Sequence, residues 1–168
     1  MKFTMDDLAA ELRMSKKTIY VYFKDKEQLL DTMVDYFFDD VKKSEQAILE
    51  EPDLGLTDRV RAVLGAMPET YRNVDFRQLS VLRDKYPRLY QHMVNRLESG
   101  WEPTISLLEQ GMREGVFRQF SIPVFRTMMQ ASLEQFFQRD LLAESGMNYN
   151  EALQEVVRIL VDGIRKNS

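Results

Sequence analysis

The chain has no cysteine and only one histidine, His92, in 168 residues. Disulfides and thiolate-held metals are therefore excluded, which suits a reducing, cytoplasmic setting. One imidazole is too few for a multi-histidine metal centre and offers little to a Ser-His triad. Long apolar runs are missing as well. Nothing approaches the ~18 consecutive apolar residues of a membrane helix, and Lys2 is not followed by the apolar stretch of a secretory leader. No glycine-rich phosphate loop and no HExxH spacing occurs. These absences argue against a small helical enzyme, a resident cofactor and a membrane partner.

What remains is ordinary globular material with an uneven charge. Apolar residues make up 44%, enough for a packed core, and the net charge is −4. Residues 13–26 carry Arg13, Lys16, Lys17, Lys24 and Lys26 against Asp25 alone, an excess of four positive charges that leaves −8 elsewhere. A basic patch on an acidic body suits a protein that touches phosphates with one end only.

Helical periodicity dominates, with no convincing strand. Thr4 and Asp7 have capping-box spacing, and Leu8, Ala9 and Leu12 follow on one face. Ser15 is placed to cap a second, short helix whose Ile19 and Phe23 point inward. Asp25, with Gln28 three residues on, opens a third helix that runs to about Glu50, its apolar side formed by Leu29, Leu30, Met33, Phe37, Val41 and Ile48. The break "EPDLGLT" divides the chain into a head and connecting helix, residues 1–50, and a body, residues 51–168. In the body, helices are expected over about 57–72 and 75–85. A long one follows from Pro87 to Gly115, with a stripe at Tyr90, Val94, Leu97, Trp101, Ile105, Leu108 and Met112, and Pro103 kinks or divides it. Ser121 caps the next, to about Glu144. After the turn "ESGMNYN" a last helix covers about 149–166.

The helix from Ser15 has the chemistry of a DNA-reading element. Lys16, Lys17 and Tyr20 share a face, with Thr18 and Tyr22 beside it. Lysines reach guanine acceptors or phosphates, and Thr18 and the tyrosines reach thymine methyls or phosphate oxygens. Lys26 in the first turn of the third helix opposes the helix dipole, which makes sense if a phosphate binds there.

The stretch "FTMDDLAAELRMSKKTIYVYFKDKEQLL" resembles the DNA-binding head of TetR-family transcriptional regulators at Thr4, Met5, Leu8, Ala9, Ser15, Thr18, Ile19, Tyr20, Phe23, Lys26, Glu27 and Leu29. "LLEQGMREGVFR" before Ser121 loosely resembles the family's approach to its last two helices. The resemblance implies an all-α, two-domain, homodimeric regulator, usually a repressor, whose body binds an inducer. It places Lys16, Lys17, Thr18, Tyr20 and Tyr22 on the reading helix, and Thr4 and Lys26 at phosphates of a double-stranded operator. Two departures stand out. The family has a further helix before Thr4, and only three residues precede Thr4 here, so Leu8, Leu12, Ile19 or Phe23 are expected to be partly uncovered. The turn position the family fills with glycine is Arg13, where a left-handed backbone would cost roughly 1 kcal/mol unless a phosphate contact compensates.

Apolar residues on two sides of the last long helices suggest a twofold interface built from Phe125, Met129, Phe136, Phe137, Val157, Leu160, Val161 and Ile164. For an apolar or aromatic effector, the large adaptable side chains Met67, Tyr71, Phe76, Met93, Trp101, Met112, Met128 and Phe136 are candidates. Trp101, flanked by Gly100 and Pro103, is the foremost of them, and His92 reads as a surface or capping residue. The leading expectation is a ligand-responsive dimeric repressor on a palindromic operator. The alternative is a dimeric helical ligand-binding or interaction module with an incomplete head.

Overall fold

The computed structural model describes residues 4–74, 76, 80–138 and 141–166, leaving out the side chains of residues 80, 81, 137, 138 and 143. Among the described residues the elements are α1 (Met5–Glu11), α2 (Lys16–Tyr22), α3 (Lys26–Leu49), α4 (Leu56–Leu64), a 3-10 turn (Glu69–Tyr71), α5 (Ser80–Lys85), α6 (Pro87–Glu98), α7 (Glu102–Arg113), α8 (Ile122–Gln138), α9 (Leu141–Ser145) and α10 (Tyr149–Ile164). The one extended pairing among them is an antiparallel bridge between Phe117 and Arg165. The fold is all-α.

Local chemistry sets the helix starts. Thr4 Oγ1 accepts from the Asp7 N–H at 3.1 Å, and the Asp7 carboxylate accepts from the Thr4 N–H at 2.7 Å, closing a capping box. The Thr4 N–H and the Thr4 hydroxyl, which donates to the same carboxylate at 2.8 Å, hold the Asp7 carboxyl below its ordinary range. Ser15 caps α2 through the Thr18 N–H, and Asn148 with Glu151 caps α10. Asp25 caps α3 through the Gln28 N–H at 2.8 Å, but Gln28 reaches back to the N–H of Lys24 rather than to that of the cap.

Several expected boundaries move. The helix expected over 57–72 starts at Leu56 and stops before Gly65, because Pro68 follows and has no N–H to continue the ladder. The long helix expected from Pro87 to Gly115 is divided at Ser99–Gly100, where Gly100 has φ +78°, and Pro103 sits harmlessly in the first turn of α7. The buried stripe lies about one residue earlier than expected. In α6 the buried residues are Leu89 and Met93 rather than Tyr90, Val94 and Leu97, and in α7 they are Thr104, Leu107, Leu108 and Gly111. The helix expected from Ser121 to about Glu144 is described as α8 to Gln138 and α9 over Leu141–Ser145, residues 139 and 140 lying outside the described residues.

The described residues form two apolar clusters. A small one in the head joins Met5, Ala9, Ile19 and Leu29, with Leu8 and Phe23 half-buried against it. Leu12, expected on the same face, is 52% exposed. The large cluster fills the body from Leu30 to Ile164. Consecutive residues Leu29 and Leu30 thus belong to different clusters, and α3 is a structural member of both. Farther along, α3 is tied to α6 by charge: Arg96 reaches Asp35 at 2.9 Å and Asp39 at 2.6 Å, and His92 Nε2 lies 2.8 Å from Asp35. His92 is therefore a bridge between helices rather than a cap.

Candidate nucleic-acid interface and body cavity

The head is two short helices and the start of α3 around a tight turn. The turn is closed by the N–H groups of Arg13 and Met14, which donate to the carbonyls of Ala10 and Ala9. Arg13 has φ 52°, the left-handed conformation expected of a glycine position. The burial of Ile19 fixes the phase of α2. Directly opposite it stand Lys17 and Val21, with Thr18, Tyr20 and Tyr22 to either side, all exposed. Val21 escaped the sequence reading because a valine signals a core position by composition. Its exposure on a seven-residue helix gives the outer face an apolar edge suited to a thymine methyl.

Lys16 is a correction. It lies on the flank of α2 nearest α1 and pairs with Asp6 at 2.7 Å, which raises its pKa. Exposed pairs of this kind are worth little, so a phosphate can replace Asp6, but Lys16 does not share the outer face with Lys17. Ser15 and Thr4 are engaged as caps, and Ser15 Oγ also shares a hydrogen bond with Thr18 Oγ1 at 2.7 Å. Lys26 stands at the first turn of α3, half-buried. Its pKa is lowered by burial and by the neighbouring charge of Lys85 at the end of α5. Lys85 places a second cation beside Lys26, and only the tertiary fold brings the two together.

The body contains a half-open cavity of about 720 Å³ between α3, α4, the α6–α7 break, α8 and α10. Of the expected effector residues, Met67 and Trp101 line it. Trp101 caps the break, its indole N–H donating to the Leu97 carbonyl at 3.2 Å and its ring facing the Arg126 guanidinium at 5.6 Å. Tyr71, Phe76 and Phe136 form a layer behind the wall: Tyr71 and Phe76 pack on Phe37, while Phe76 and Phe136 pack on Tyr149. Met93 is buried in the body core, Met112 packs against it, and Met128 is 52% exposed on the outside. These six do not line the cavity. Large side chains at helical spacing fill the core, whereas the cavity arises where the backbone breaks.

Glu45 of α3 is the lining residue that composition hides. It follows Phe37 and Val41 at steps of four, so it continues the apolar stripe of α3 into the cavity wall. Burial pushes its carboxyl up to about 7, with Lys42 one turn away pulling the other way. A carboxylate in register with an apolar stripe was the available sequence signal.

The expected interface residues are also corrected. Phe125, Met129, Phe136, Val157, Val161 and Ile164 are buried inside the subunit and cannot meet a partner; Met129 lines the cavity instead. Leu160 is half-buried, and the side chain of Phe137 lies outside the described residues. The apolar residues that do face outward are Val124 and Met128 on α8 and Ile159 on α10, the last 59% exposed. Among the described residues no helix is long and apolar enough to cross a membrane, and no group of acidic and histidine side chains is set to hold a metal.

Comparison with known proteins agrees with this geometry. Residues 2–33 match the family of bacterial regulatory proteins called tetR. Over 162 residues the chain is 26% identical to the uncharacterized HTH-type transcriptional regulator YvaF of Bacillus subtilis (strain 168), covering 96% of this chain and 85% of that one. Among solved structures, the regulator FadR from Bacillus subtilis, crystallised with stearoyl-CoA, superposes with a TM-score of 0.58 at 16% identity, over 97% of this chain and 89% of that one. The TetR-family regulator PfmR from Thermus thermophilus gives 0.54 at 19% identity, over 98% and 90%. These two share the fold.

Proposed function

We propose that this chain, a transcriptional regulator of the TetR family, is a homodimeric repressor that sets two reading helices on a palindromic operator and releases them when a small molecule fills the body cavity. It acts by binding, not catalysis, and works in the cytoplasm. One observation carries the reading. α3 is a single 24-residue helix whose first turn belongs to the head and whose C-terminal half walls the cavity. At 1.5 Å per residue it spans about 36 Å. Anything that displaces its cavity end therefore also moves the head.

The parts have consistent roles. Lys17, Thr18, Tyr20, Val21 and Tyr22 form the edge presented to the major groove, and Lys26, with Lys85 nearby, contacts the backbone. The outward-facing Val124, Met128 and Ile159 of α8 and α10, with half-buried Val156 and Leu160 beside Ile159, seat a second copy and set the separation of the two heads. The cavity falls within the ~300–1,000 Å³ usual for small-molecule sites. FadR, which shares the fold, was crystallised in complex with stearoyl-CoA, and this supports an effector with an extended apolar part. An effector that prefers the cavity-open arrangement of α3 shifts the population of head spacings and lowers operator affinity.

The test is a salt titration of binding to a palindromic site selected from random DNA. Affinity is expected to fall steeply with salt, because phosphate contacts release counterions. Lys17→Ala weakens binding and lowers the slope by about one. Affinity indifferent to salt, or no protein–DNA complex at low salt, refutes the reading.

A further inference from the structure

Glu45 sits in the cavity wall, where it looks misplaced. Among the described residues its carboxylate makes no hydrogen bond or ion pair. Desolvating a carboxylate without a partner is unfavourable, so a side chain held there calls for a compensating group. The charges around it do not supply one. From α3, Asp39 and Lys42 also line the cavity. α6 contributes Arg96 and α7 contributes Glu102. Arg96 is already committed to Asp35 and Asp39 and lies over the Phe38 ring at 5.4 Å. Lys42 is exposed. The lining residues from α4, α8 and α10 carry no charge, Tyr149 being their one titratable group. The cavity is therefore mostly apolar and aromatic, with Phe37, Phe38, Trp101 and Tyr149 in its wall, and its uncompensated charge is negative.

We infer that the effector is an amphiphilic organic cation, whose ammonium group pairs with Glu45 while its apolar part lies along Leu49, Met67 and Trp101. This deepens the effector-cavity reading and rests on it. A primary or quaternary ammonium supplies what Glu45 lacks, and aromatic rings elsewhere in the same wall favour a cation over a neutral head. With its carboxyl pushed up to about 7 by burial, Glu45 is partly protonated at neutral pH in the empty cavity, and a bound cation draws the proton off.

Three ligands of one chain length separate the possibilities: decylammonium, decanol and decanoate, each below its micelle concentration. Trp101 is the only tryptophan in the chain and lines the cavity, so its fluorescence reports occupancy. Decylammonium is expected to bind about tenfold or more tighter than decanol, the range of a charge-assisted hydrogen bond, and decanoate weakest. Glu45→Gln, which keeps size and polarity, removes the preference for the amine and leaves decanol binding unchanged. Decylammonium affinity rises between about pH 5 and 8 in the unaltered protein, as the carboxyl loses its proton, and stays flat in E45Q. Lys42→Ala leaves the preference intact or strengthens it. If decanoate or decanol binds as tightly as the amine, or if E45Q keeps the preference, the inference is overturned while the effector cavity stands. If none of the three changes the fluorescence, the cavity reading falls with it.

Discussion

Gly111 sits in the middle of α7, where alanine is ordinarily the better residue by about 1 kcal/mol. The structure reverses that expectation. Phe117 folds back onto the glycine, and an added Cβ would overlap Cδ2 and Cε2 of the ring and stand 3.0 Å from Cγ. The ring has no room to retreat. It is 1% exposed, and its N–H donates to the Gly111 carbonyl at 3.0 Å. The next residue, Arg118, donates to Ile164 at 2.9 Å, while Lys166 donates back to Val116 at 3.2 Å. Moving the ring thus strains the bridge that ties the end of α7 to the end of α10. Overpacking costs about 1–3 kcal/mol, and partial loss of the burial of Phe117 adds up to ~1.5–3 kcal/mol. After subtracting the helix-propensity gain, Gly111→Ala should destabilise by about 2 kcal/mol. For a chain of this size that is a fall in Tm of roughly 4–8 °C. Far-UV circular dichroism on heating and in urea measures it. In a Phe117→Ala background the same change should cost nothing or stabilise slightly, giving a coupling of about 2 kcal/mol. A G111A protein that melts at or above the parent temperature refutes the packing argument, because propensity alone would then have decided the outcome.

Arg13→Gly relieves a left-handed residue worth about 1 kcal/mol, offset in part by the added freedom of the unfolded chain. The expected net gain is a few tenths of a kcal/mol, read as slower amide exchange in α1 and α2; faster exchange contradicts it. Glu45 has a folded pKa raised above its unfolded value, so the folded state holds the extra proton between about pH 4.5 and 7 and stability declines as pH rises through that window. Glu45→Gln should therefore gain on the parent protein in urea unfolding as pH rises from about 4.5 to 7, and keep a constant lead above that; a lead independent of pH removes the basis for the shift. Met128→Asp with Ile159→Asp alters two side chains that are more than half exposed, so the fold and Tm should hold while sedimentation changes from dimer to monomer. A dimer that survives both changes places the interface elsewhere.

The contrast between what was legible in the sequence and what was not has a physical cause. Caps are local: those at Thr4, Ser15 and Asp25 act over three residues, so spacing alone identifies them, and the helices they open follow. The left-handed turn at Arg13 was expected only through the family resemblance, which places a glycine there. A stripe reveals that a helix face is buried but not what covers it. α8 and α10 each carry apolar residues on more than one side: Phe125, Met129, Phe136, Val157 and Val161 fill the core, while Val124, Met128 and Ile159, of similar size and character, face out. Nothing within either helix distinguishes these outcomes, because the deciding surface belongs to α4, α5, α6 and the other of the pair. Long-range charge is hidden likewise: Lys16 finds Asp6 across the turn, and Lys85 approaches Lys26 from an element almost sixty residues away. The cavity is the hardest case, since it is a deficit of packing. Searching for bulky adaptable side chains selects residues that remove empty space, and six of the eight chosen did that or faced solvent. A charged residue falling in register with an apolar stripe is the better guide. Burial in a closed core would make Glu45 intolerable, so its place in the stripe already requires that the wall it joins face an opening.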